Sequence, residues 1–241
     1  MTAPALPRPE RGSGRVVRTA RPLPAAQLYG RLLATVVNHV FGEGPPPPRA
    51  RVRSLDGSSA PLPLERWVAP VDDTDSAILD GLAGPVLDIG CGPGRHVAAL
   101  TDAGIPSLGV DLSPVAVWVT RGRGGEAIPG SIFAAVPGAG RWRSALLLDG
   151  NIGIGGDPTL LLRRTWELLA ASGTAVVELD GPGAPTERTR ARIEAPGVVS
   201  EWFPWARVGV DGIVPLAAAA GLLAGPARRA GDRWFVRLRR P

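Results

Sequence analysis

The sequence of 241 residues contains no lysine, one cysteine and no long apolar run, and each absence excludes a class of protein. All 27 basic residues are arginine, so mechanisms that need a catalytic lysine are excluded. The single cysteine, Cys91, cannot form an intrachain disulfide or a four-cysteine zinc site, which predicts a reducing, cytoplasmic setting. The longest apolar stretch starts at Ile213, contains Pro215 and is shorter than the ~20 residues of a spanning helix, so we expect no membrane segment.

The excess of positive charge is concentrated at the start of the chain. Residues 1–26 carry five arginines and one acidic residue, whereas the remaining 22 arginines are matched by 21 acidic residues. This near balance leaves the rest of the chain without a general basic excess for binding phosphates, which predicts no nucleic-acid partner. Residues 1–26 also lack the apolar core of a secretory signal and are predicted to form a flexible leader.

Two regions follow this leader. Residues 27–72 predict a helix and a hairpin that cap the main domain, because apolar residues recur at helical spacing from Leu28 and Asp56-Gly57 is a strong hairpin turn. Residues 73–241 alternate apolar strands with helices, and one of these helices starts at Pro158 and is predicted to end at Gly173. This alternation is typical of an α/β fold with a doubly wound, mainly parallel sheet.

A glycine-rich loop follows the first strand of the main domain, in "VLDIGCGPGRH" from Val86 to His96. Glycines at 90, 92 and 94 let a ligand approach the backbone closely at the start of a helix. A dinucleotide site would need a further glycine five residues after Gly90, where this chain has Arg95. The next strand ends in Asp111, whose two carboxylate oxygens are spaced to accept both hydroxyls of a ribose.

This loop with Asp88 before it, together with "LGVDLSP" around Asp111, resembles the class I S-adenosylmethionine-dependent methyltransferases. The patterns "LLLDGNIGIGGDP" and "SEWFPWARVG" are similar to those of a poorly characterised bacterial group of that family. The resemblance implies a seven-stranded Rossmann-like sheet and S-adenosylmethionine as the cofactor, with Asp88 orienting the loop amides and the ammonium group of the cofactor.

The resemblance also implies further cofactor contacts. We expect His96 to reach the methionine carboxylate of the cofactor, with a solvated histidine at the helix start as the alternative. Where family members place an acid after the third strand, this chain has Ser131 and Ile132, which we expect to contact and cover the adenine. The predicted cofactor-binding residues are Asp88, Gly90, Cys91, Gly92, Gly94, His96, Asp111, Leu112, Ser131, Ile132 and Asp149.

The sequence excludes several classes of methyl transfer. It lacks the Asp/Asn-Pro-Pro-aromatic motif of DNA amino-methyltransferases, the two lysines of ribose methylators and the three cysteines of radical enzymes, and its one cysteine lies inside the glycine loop. We therefore expect in-line transfer to a small-molecule acceptor, on oxygen, nitrogen or carbon. A regulatory protein that binds the cofactor without catalysis, and a methyltransferase acting on RNA or protein, remain open alternatives.

Asp149 and Asn151, which follow the fourth strand of the main domain, are the candidate catalytic residues. Asp149 is predicted to act as a general base or an orienting group, and the alternative is that it closes the strand with Gly150. A metal pair of Asp149 with Asp180 is disfavoured, because Gly181 stands where the magnesium-dependent pattern has asparagine. No metal is therefore predicted.

Aromatic residues in "EWFPWAR" predict a wall of the acceptor pocket, formed by Trp202 and Trp205, with Arg207 holding an anionic group. Core packing of these residues is the alternative. Tyr29 and His39 lie on the N-terminal helix, which covers the cofactor in similar small methyltransferases. The arginines between Arg228 and Arg240 are predicted to face solvent.

Overall fold

The computed structural model describes residues 21–42 and 44–241 of the chain, so most of the predicted leader lies outside the described residues. Seven α-helices lie in these ranges: α1 Ala25–Val40, α2 Leu64–Val68, α3 Asp73–Leu79, α4 Arg95–Asp102, α5 Pro114–Gly122, α6 Pro158–Leu168 and α7 Ile213–Ala219. None of them is long and apolar enough to cross a membrane.

The strands of the described residues form two sheets. In chain order they are β1 Arg51–Ser54, β2 Ser59–Pro61, β3 Val86–Ile89, β4 Ser107–Asp111, β5 Ala127–Pro129, β6 Trp142–Leu147, β7 Leu169–Leu179, β8 Glu187–Ala195, β9 Val198–Val199, β10 Phe203–Arg207, β11 Leu223–Ala224, β12 Arg228–Ala230 and β13 Arg233–Arg239.

The main sheet has the strand order β11-β13-β7-β6-β3-β4-β5. The five strands from β7 to β5 are parallel, whereas β13 runs antiparallel to β7 and also pairs with β11 and β12. The chain order reverses between β3 and β6, and in such sheets ligands bind beyond the carboxyl ends of the strands at this switch point. The predicted doubly wound, mainly parallel α/β fold is confirmed, with β12 as an additional eighth strand.

Sequence-local signals position the helices around this sheet. The Ser113 side chain accepts a hydrogen bond from Ala116 N at 3.3 Å and starts α5, and Pro114 occupies its first turn. Asp157 caps α6 in the same way. The predicted end of α6 at Gly173 is wrong, because α6 ends at Leu168 and Gly173 lies inside β7, where its backbone is packed against Trp142.

The second sheet joins the N-terminal region to a distant part of the chain. Its order is β10-β8-β1-β2, with β9 also paired to β8, and all pairs are antiparallel. The predicted hairpin of β1 and β2 is present, and β1 pairs with β8 over four residues, Arg51 opposite Glu194 to Ser54 opposite Ala191. The division into a cap at 27–72 and a main domain at 73–241 stays a prediction. The pairing means that the hairpin shares its sheet with residues 187–207.

The β4 strand requires a residue without a side chain at Gly109. A Cβ atom there would lie 2.5 Å from Cys91 Sγ and 2.8 Å from Cys91 Cβ. We expect Gly109→Ala to lower the free energy of unfolding by about 1–3 kcal/mol, because overpacking shifts the glycine loop that carries Cys91. Gly122→Ala is the matched control, since its Cβ atom would meet open space at the end of α5. Urea unfolding midpoints test the pair, and equal midpoints would contradict this account.

Candidate functional site

The loop after β3 holds Gly90, Gly92 and Gly94 in left-handed conformations, with φ of 72°, 54° and 77°. Side chains at Gly90 and Gly94 would collide with neighbouring side chains, so internal packing explains these two glycines. Gly92 differs, because a Cβ atom there would meet only the Tyr29 hydroxyl, at 3.1 Å. Gly92 therefore has bare backbone on the side of the loop that faces Tyr29 of α1.

The Asp111 carboxylate at the end of β4 is fixed against this loop. Its Oδ2 atom accepts a hydrogen bond from Gly92 N at 2.9 Å, and its Oδ1 atom accepts one from Ser113 N at 2.8 Å. Burial raises the pKa of Asp111, and these two hydrogen bonds offset part of that rise. Each oxygen keeps a lone pair for another donor, and Leu112 next to it is 61% exposed. The end of β4 thus offers paired acceptors beside an apolar surface.

His96 lies buried between two carboxylates, so the alternative of a solvated histidine is wrong. Its Nε2 atom is 3.4 Å from Asp75 Oδ1 and its Nδ1 atom is 3.7 Å from Asp88 Oδ2. Burial lowers the pKa of His96, but the facing carboxylates of Asp75 and Asp88 outweigh burial and raise that pKa to about 9. The facing carboxylates thus favour the protonated form of the imidazole, and Arg95 Nε lies 3.1 Å from its Nε2 atom. Among the described residues, the Asp88 Oδ2 atom has no hydrogen-bond partner.

Two buried arginines pair with the other carboxylates at this end of the sheet. Arg95 donates to both oxygens of Asp149, at 3.0 and 2.9 Å, and its Nε atom lies 3.2 Å from Asp75 Oδ2. Arg233 donates to Asp75 at 2.6 Å and to Glu178 at 2.8 and 2.6 Å. The resulting network joins α3 and α4 to the ends of β6 and β7 and to the start of β13. Removing one partner of a buried ion pair costs about 3–5 kcal/mol, so the network holds these ends in one arrangement.

The prediction that the arginines between Arg228 and Arg240 face solvent is wrong for Arg233, which is 8% exposed. Arg233 and Phe235 lie on the same face of β13. This face is covered near the start of the strand, where Phe235 packs with Ile78 and Leu79 of α3. Arg233 is consequently directed at the buried acids. Its exposed counterparts further along the strand, Arg237 and Arg239, lie beyond this cover.

Asp149 and Asn151, the predicted catalytic residues, are both engaged within the protein. Within the described ranges Asp149 is the one non-glycine residue with a left-handed φ, 55°. Both oxygens of its carboxylate accept hydrogen bonds from Arg95, so the carboxylate is engaged within the protein. Asn151 Nδ2 donates to the carbonyl oxygens of Ile89 and Gly90 at 2.8 and 2.9 Å. These contacts favour the alternative in which Asp149 closes the strand, and they make Asn151 a support of the glycine loop.

Helices α1 and α2 cover the glycine loop. Tyr29 of α1 contacts Trp67 of α2 edge to face, with ring centroids 6.1 Å apart. Burial and the nearby carboxylate of Asp111 raise the pKa of Tyr29, so its hydroxyl stays protonated. Arg95 Nη1 donates to the Arg66 carbonyl at 3.4 Å. His39 lies apart from this cover, because it is exposed and its ring bonds to the Gly44 carbonyl.

Arg123 adds a second connection between α2 and the loop. Its guanidinium donates to the Pro93 carbonyl at 3.1 Å and to the Val68 carbonyl. Sequence reasoning missed Arg66, Trp67 and Arg123. Nothing in the local spacing marks them, since they reach the loop only through tertiary packing.

The predicted acceptor wall is divided between two faces of the second sheet. A Cβ atom on Gly153 would lie 2.7 Å from Trp205 Cε2, so Trp205 packs against the segment that follows Asp149. Arg207 lies on the same face of β10 and donates to Asp180 Oδ2 at 3.0 Å, which engages its charge with a carboxylate. Trp202 lies on the opposite face, under the guanidinium of Arg192 at 4.8 Å. Only Trp205 and Arg207 are therefore brought together.

Three predicted cofactor residues have side chains with contacts inside the protein. Cys91 is buried against Gly109, so only its backbone can face a ligand, and burial raises the pKa of its thiol. Ile132 is 4% exposed within the core of the main sheet. Ser131 Oγ accepts a hydrogen bond from Phe133 N at 3.2 Å and fixes the turn after β5. The adenine contacts of Ser131 and Ile132 stay predictions.

The His96 site predicts a pH dependence of stability. Because the pKa of His96 is about 9 in the folded protein and 6.5 when unperturbed, its contribution is complete below pH 6.5 and is lost as the pH rises to about 9. We expect the free energy of unfolding to fall over this window by up to about 3 kcal/mol. His96→Gln should flatten the decline, whereas the exposed control His39→Gln should retain it. Urea unfolding at pH 6.5, 7.5 and 8.5 measures both slopes, and parallel profiles for wild type and His96→Gln would refute the assignment.

Comparison with known proteins finds methyltransferases among the relatives of this chain. No family model matches the chain. A lysine N-methyltransferase of Rattus norvegicus, named for its action on ATP synthase, is 33% identical over 97 residues, which are 39% of this chain and 44% of the relative. The Mus musculus protein of the same name matches to the same identity. The match thus spans less than half of the length of these relatives.

Solved structures resemble nearly the whole chain. A SAM-dependent methyltransferase from Bacteroides fragilis, in complex with S-adenosylhomocysteine, covers 91% of this chain and 98% of its own, with a TM-score of 0.72 and 21% identity. The 1,6-didemethyltoxoflavin-N1-methyltransferase of Burkholderia thailandensis covers 92% of both chains, with a TM-score of 0.53 and 16% identity. Together with the glycine loop at the switch point of the sheet, this likeness shows that the chain has the class I S-adenosylmethionine-dependent methyltransferase fold.

Proposed function

We propose that the protein is an S-adenosylmethionine-dependent methyltransferase that binds its cofactor on the glycine loop and methylates a small molecule. The observation that carries the proposal is the bare backbone of Gly92, which is bonded to the Asp111 carboxylate at 2.9 Å and faces the Tyr29 hydroxyl. The partial relative and the structural neighbours, which are methyltransferases by name, support the same activity.

The residues at the switch point fit this cofactor. Asp111 has the free lone pairs to accept two ribose hydroxyls, and the exposed side chain of Leu112 offers an apolar surface for the base. Asp88 Oδ2 is a buried acceptor without a partner, as an ammonium group of a ligand would require. Gly92 lies between these two ends and carries no side chain, with the Tyr29 hydroxyl 3.1 Å from where a Cβ atom would sit.

The chain's own contribution to methyl transfer is alignment of the acceptor. The bound cofactor supplies a methyl group on a sulfonium, which is already activated for displacement. Asp149 and Asn151 are engaged with Arg95 and the glycine loop, so they hold the site in shape and orient its groups. Trp205 and the Arg207–Asp180 pair lie next to the turn of Asp149 and are the proposed wall of the acceptor pocket. Covering helices exclude water, which favours in-line attack.

A small-molecule acceptor is supported by the bound 1,6-didemethyltoxoflavin of one structural neighbour. The lysine N-methyltransferase relatives favour a protein acceptor as the second candidate. The near balance of charge beyond residue 26 argues against RNA, and the single buried cysteine supports a cytoplasmic setting.

Calorimetry with S-adenosylmethionine and S-adenosylhomocysteine tests cofactor binding. We expect both to bind, and we expect Asp111→Asn to weaken binding by about 10-fold or more, because a hydrogen bond to a charged group contributes about 1.5–3 kcal/mol. Asp102→Asn, at an exposed acid of α4, is the matched control and should bind as wild type does. Absence of heat with a folded protein would refute the proposed cofactor.

Transfer of a labelled methyl group tests the reaction and the class of acceptor. The purified protein is incubated with methyl-labelled S-adenosylmethionine and an extract of the source organism, divided by filtration into small molecules, protein and RNA. We expect time-dependent label in the small-molecule fraction, reduced with Asp111→Asn. Label confined to the protein or RNA fraction would show that the acceptor is a macromolecule and not a small molecule. Tight binding of S-adenosylmethionine without label in any fraction would favour the non-catalytic alternative.

A further inference from the structure

The second sheet has an outer face that is rich in arginine. Side chains alternate between the two faces of a strand, and Ala191 and Ile193 of β8 are buried on the inner face. The alternate residues of β8, and the residues of β1 that pair with them, therefore lie on the opposite side of the sheet. This outer face carries Arg51 and Arg53 of β1 and Arg188, Arg190 and Arg192 of β8.

Acidic residues neutralise only part of this charge. Glu194, on the same face, accepts hydrogen bonds from Arg53 Nε at 2.9 Å and from Arg192 Nε at 2.7 Å. Asp157, the cap of α6, pairs with Arg188 at 2.8 Å. The outer face thus has five arginines against two paired carboxylates, which leaves three positive charges in excess.

Arg51 and Arg190 are the arginines of this face without an acidic partner within residues 21–42 and 44–241. Both are exposed. Arg51 donates to the hydroxyl and the carbonyl of Ser59 at 2.8 and 3.0 Å, and Arg190 donates to the Trp202 carbonyl at 2.9 Å. Arginine has five N–H donors, so each guanidinium is held on the face and keeps further donors for a carboxylate.

Apolar groups lie among these arginines. The Arg192 guanidinium lies over the ring of Trp202, 4.8 Å from the ring centroid. Pro204 is exposed and pairs with Arg190, so it lies on the same face. Leu55, at the turn after β1, is 59% exposed. Arginine and tryptophan are enriched in protein–protein interfaces, and both are frequent among the residues that contribute most to binding.

An acidic protein fits this face better than other occupants do. Residues 1–20 carry four arginines and one acid, so their charge has the same sign as the face. Two copies of the chain that met symmetrically through this face would bring like charges together. A run of phosphates, as in RNA, would meet the Glu194 carboxylate between Arg53 and Arg192. One face of the Trp202 ring, on which a base would stack, is covered by Arg192.

We propose that the outer face of the second sheet docks a partner protein through an acidic segment of that partner. Carboxylates of the partner would meet Arg51 and Arg190, and its apolar side chains would meet Trp202 and Pro204. The inner face of the same sheet carries Trp205 of the proposed acceptor wall, so the docked partner lies behind that wall. The inference goes beyond the proposed function and does not depend on the cofactor.

A fluorescein-labelled polyglutamate peptide tests the charge preference of the face by fluorescence anisotropy. We expect the double variant Arg51→Gln with Arg190→Gln to weaken binding by about 5-fold to 10-fold, because two exposed ion pairs are lost. The matched control is Arg143→Gln with Arg163→Gln, which removes the same charge from exposed positions of β6 and α6. Arg163 also donates to a backbone carbonyl, as Arg190 does. The control should weaken binding less than 2-fold.

Modification of arginine by phenylglyoxal, read by mass spectrometry, locates the peptide on the wild-type protein. All basic residues other than histidine are arginine, so the reagent reports on the whole basic surface. We expect the peptide to slow modification of Arg51 and Arg190 by about 3-fold or more, and to leave Arg143 and Arg163 unchanged. This measurement decides the question if the double variant does not fold.

Oligouridylate and vesicles that contain phosphatidylglycerol, matched to the peptide in negative charge, are the competing probes. Stronger protection of Arg51 and Arg190 by either probe than by polyglutamate would show that the face binds a nucleic acid or a membrane, and would overturn the proposal. Equal weakening by the two double variants, or no binding of the peptide, would overturn it as well. S-adenosylhomocysteine should bind both double variants as it binds wild type, so failure of the proposed cofactor is a separate result.

Discussion

The pairing of two buried arginines with three acids is the constraint on which the rest of the site depends. Arg95 follows the glycine loop directly, and Arg233 begins the last strand, so the ends of the main sheet are held by groups more than 130 residues apart in sequence. Because unpaired buried charges are costly, this end of the sheet has one low-energy arrangement. That arrangement fixes the turn at Asp149, and through Asn151 it fixes the loop that carries Gly92.

Local sequence patterns predict the parallel core well, because each of its parts carries its own signal. The alternation of apolar strands with capped helices, and the spacing of Gly90, Gly92 and Gly94 before Asp111, are properties of short segments. In the second sheet the β1–β2 hairpin carries such a signal, in Asp56-Gly57, whereas the other strand pairings do not. Its pairing of β1 with β8 joins residues about 140 positions apart, and no pattern within either segment reports its partner.

The predicted site residues differ in how well their surroundings could be anticipated. Asp111 is bonded to the loop as its position after β4 suggests. By contrast, the burial of Arg233 depends on cover by α3, and the engagement of Arg207 depends on Asp180, which directly follows β7. The role of a charged side chain cannot be read from a short stretch of sequence. The same arginine faces solvent, pairs with a buried acid or binds a ligand according to tertiary packing. The contacts of Asp149 shift the proposed chemistry from proton removal towards alignment and shielding of the reacting groups.

The position of Arg233 has a consequence for synthesis of the chain. Translation runs from the amino terminus, so Asp75, Asp149 and Glu178 all leave the ribosome before their shared cation does. Arg95 is by then available to pair with Asp75 and Asp149, but Glu178 gains its arginine partner when the last strand emerges. Completion of this ion-pair network is thereby deferred to the final residues, and a chain that stops short of β13 leaves Glu178 without Arg233.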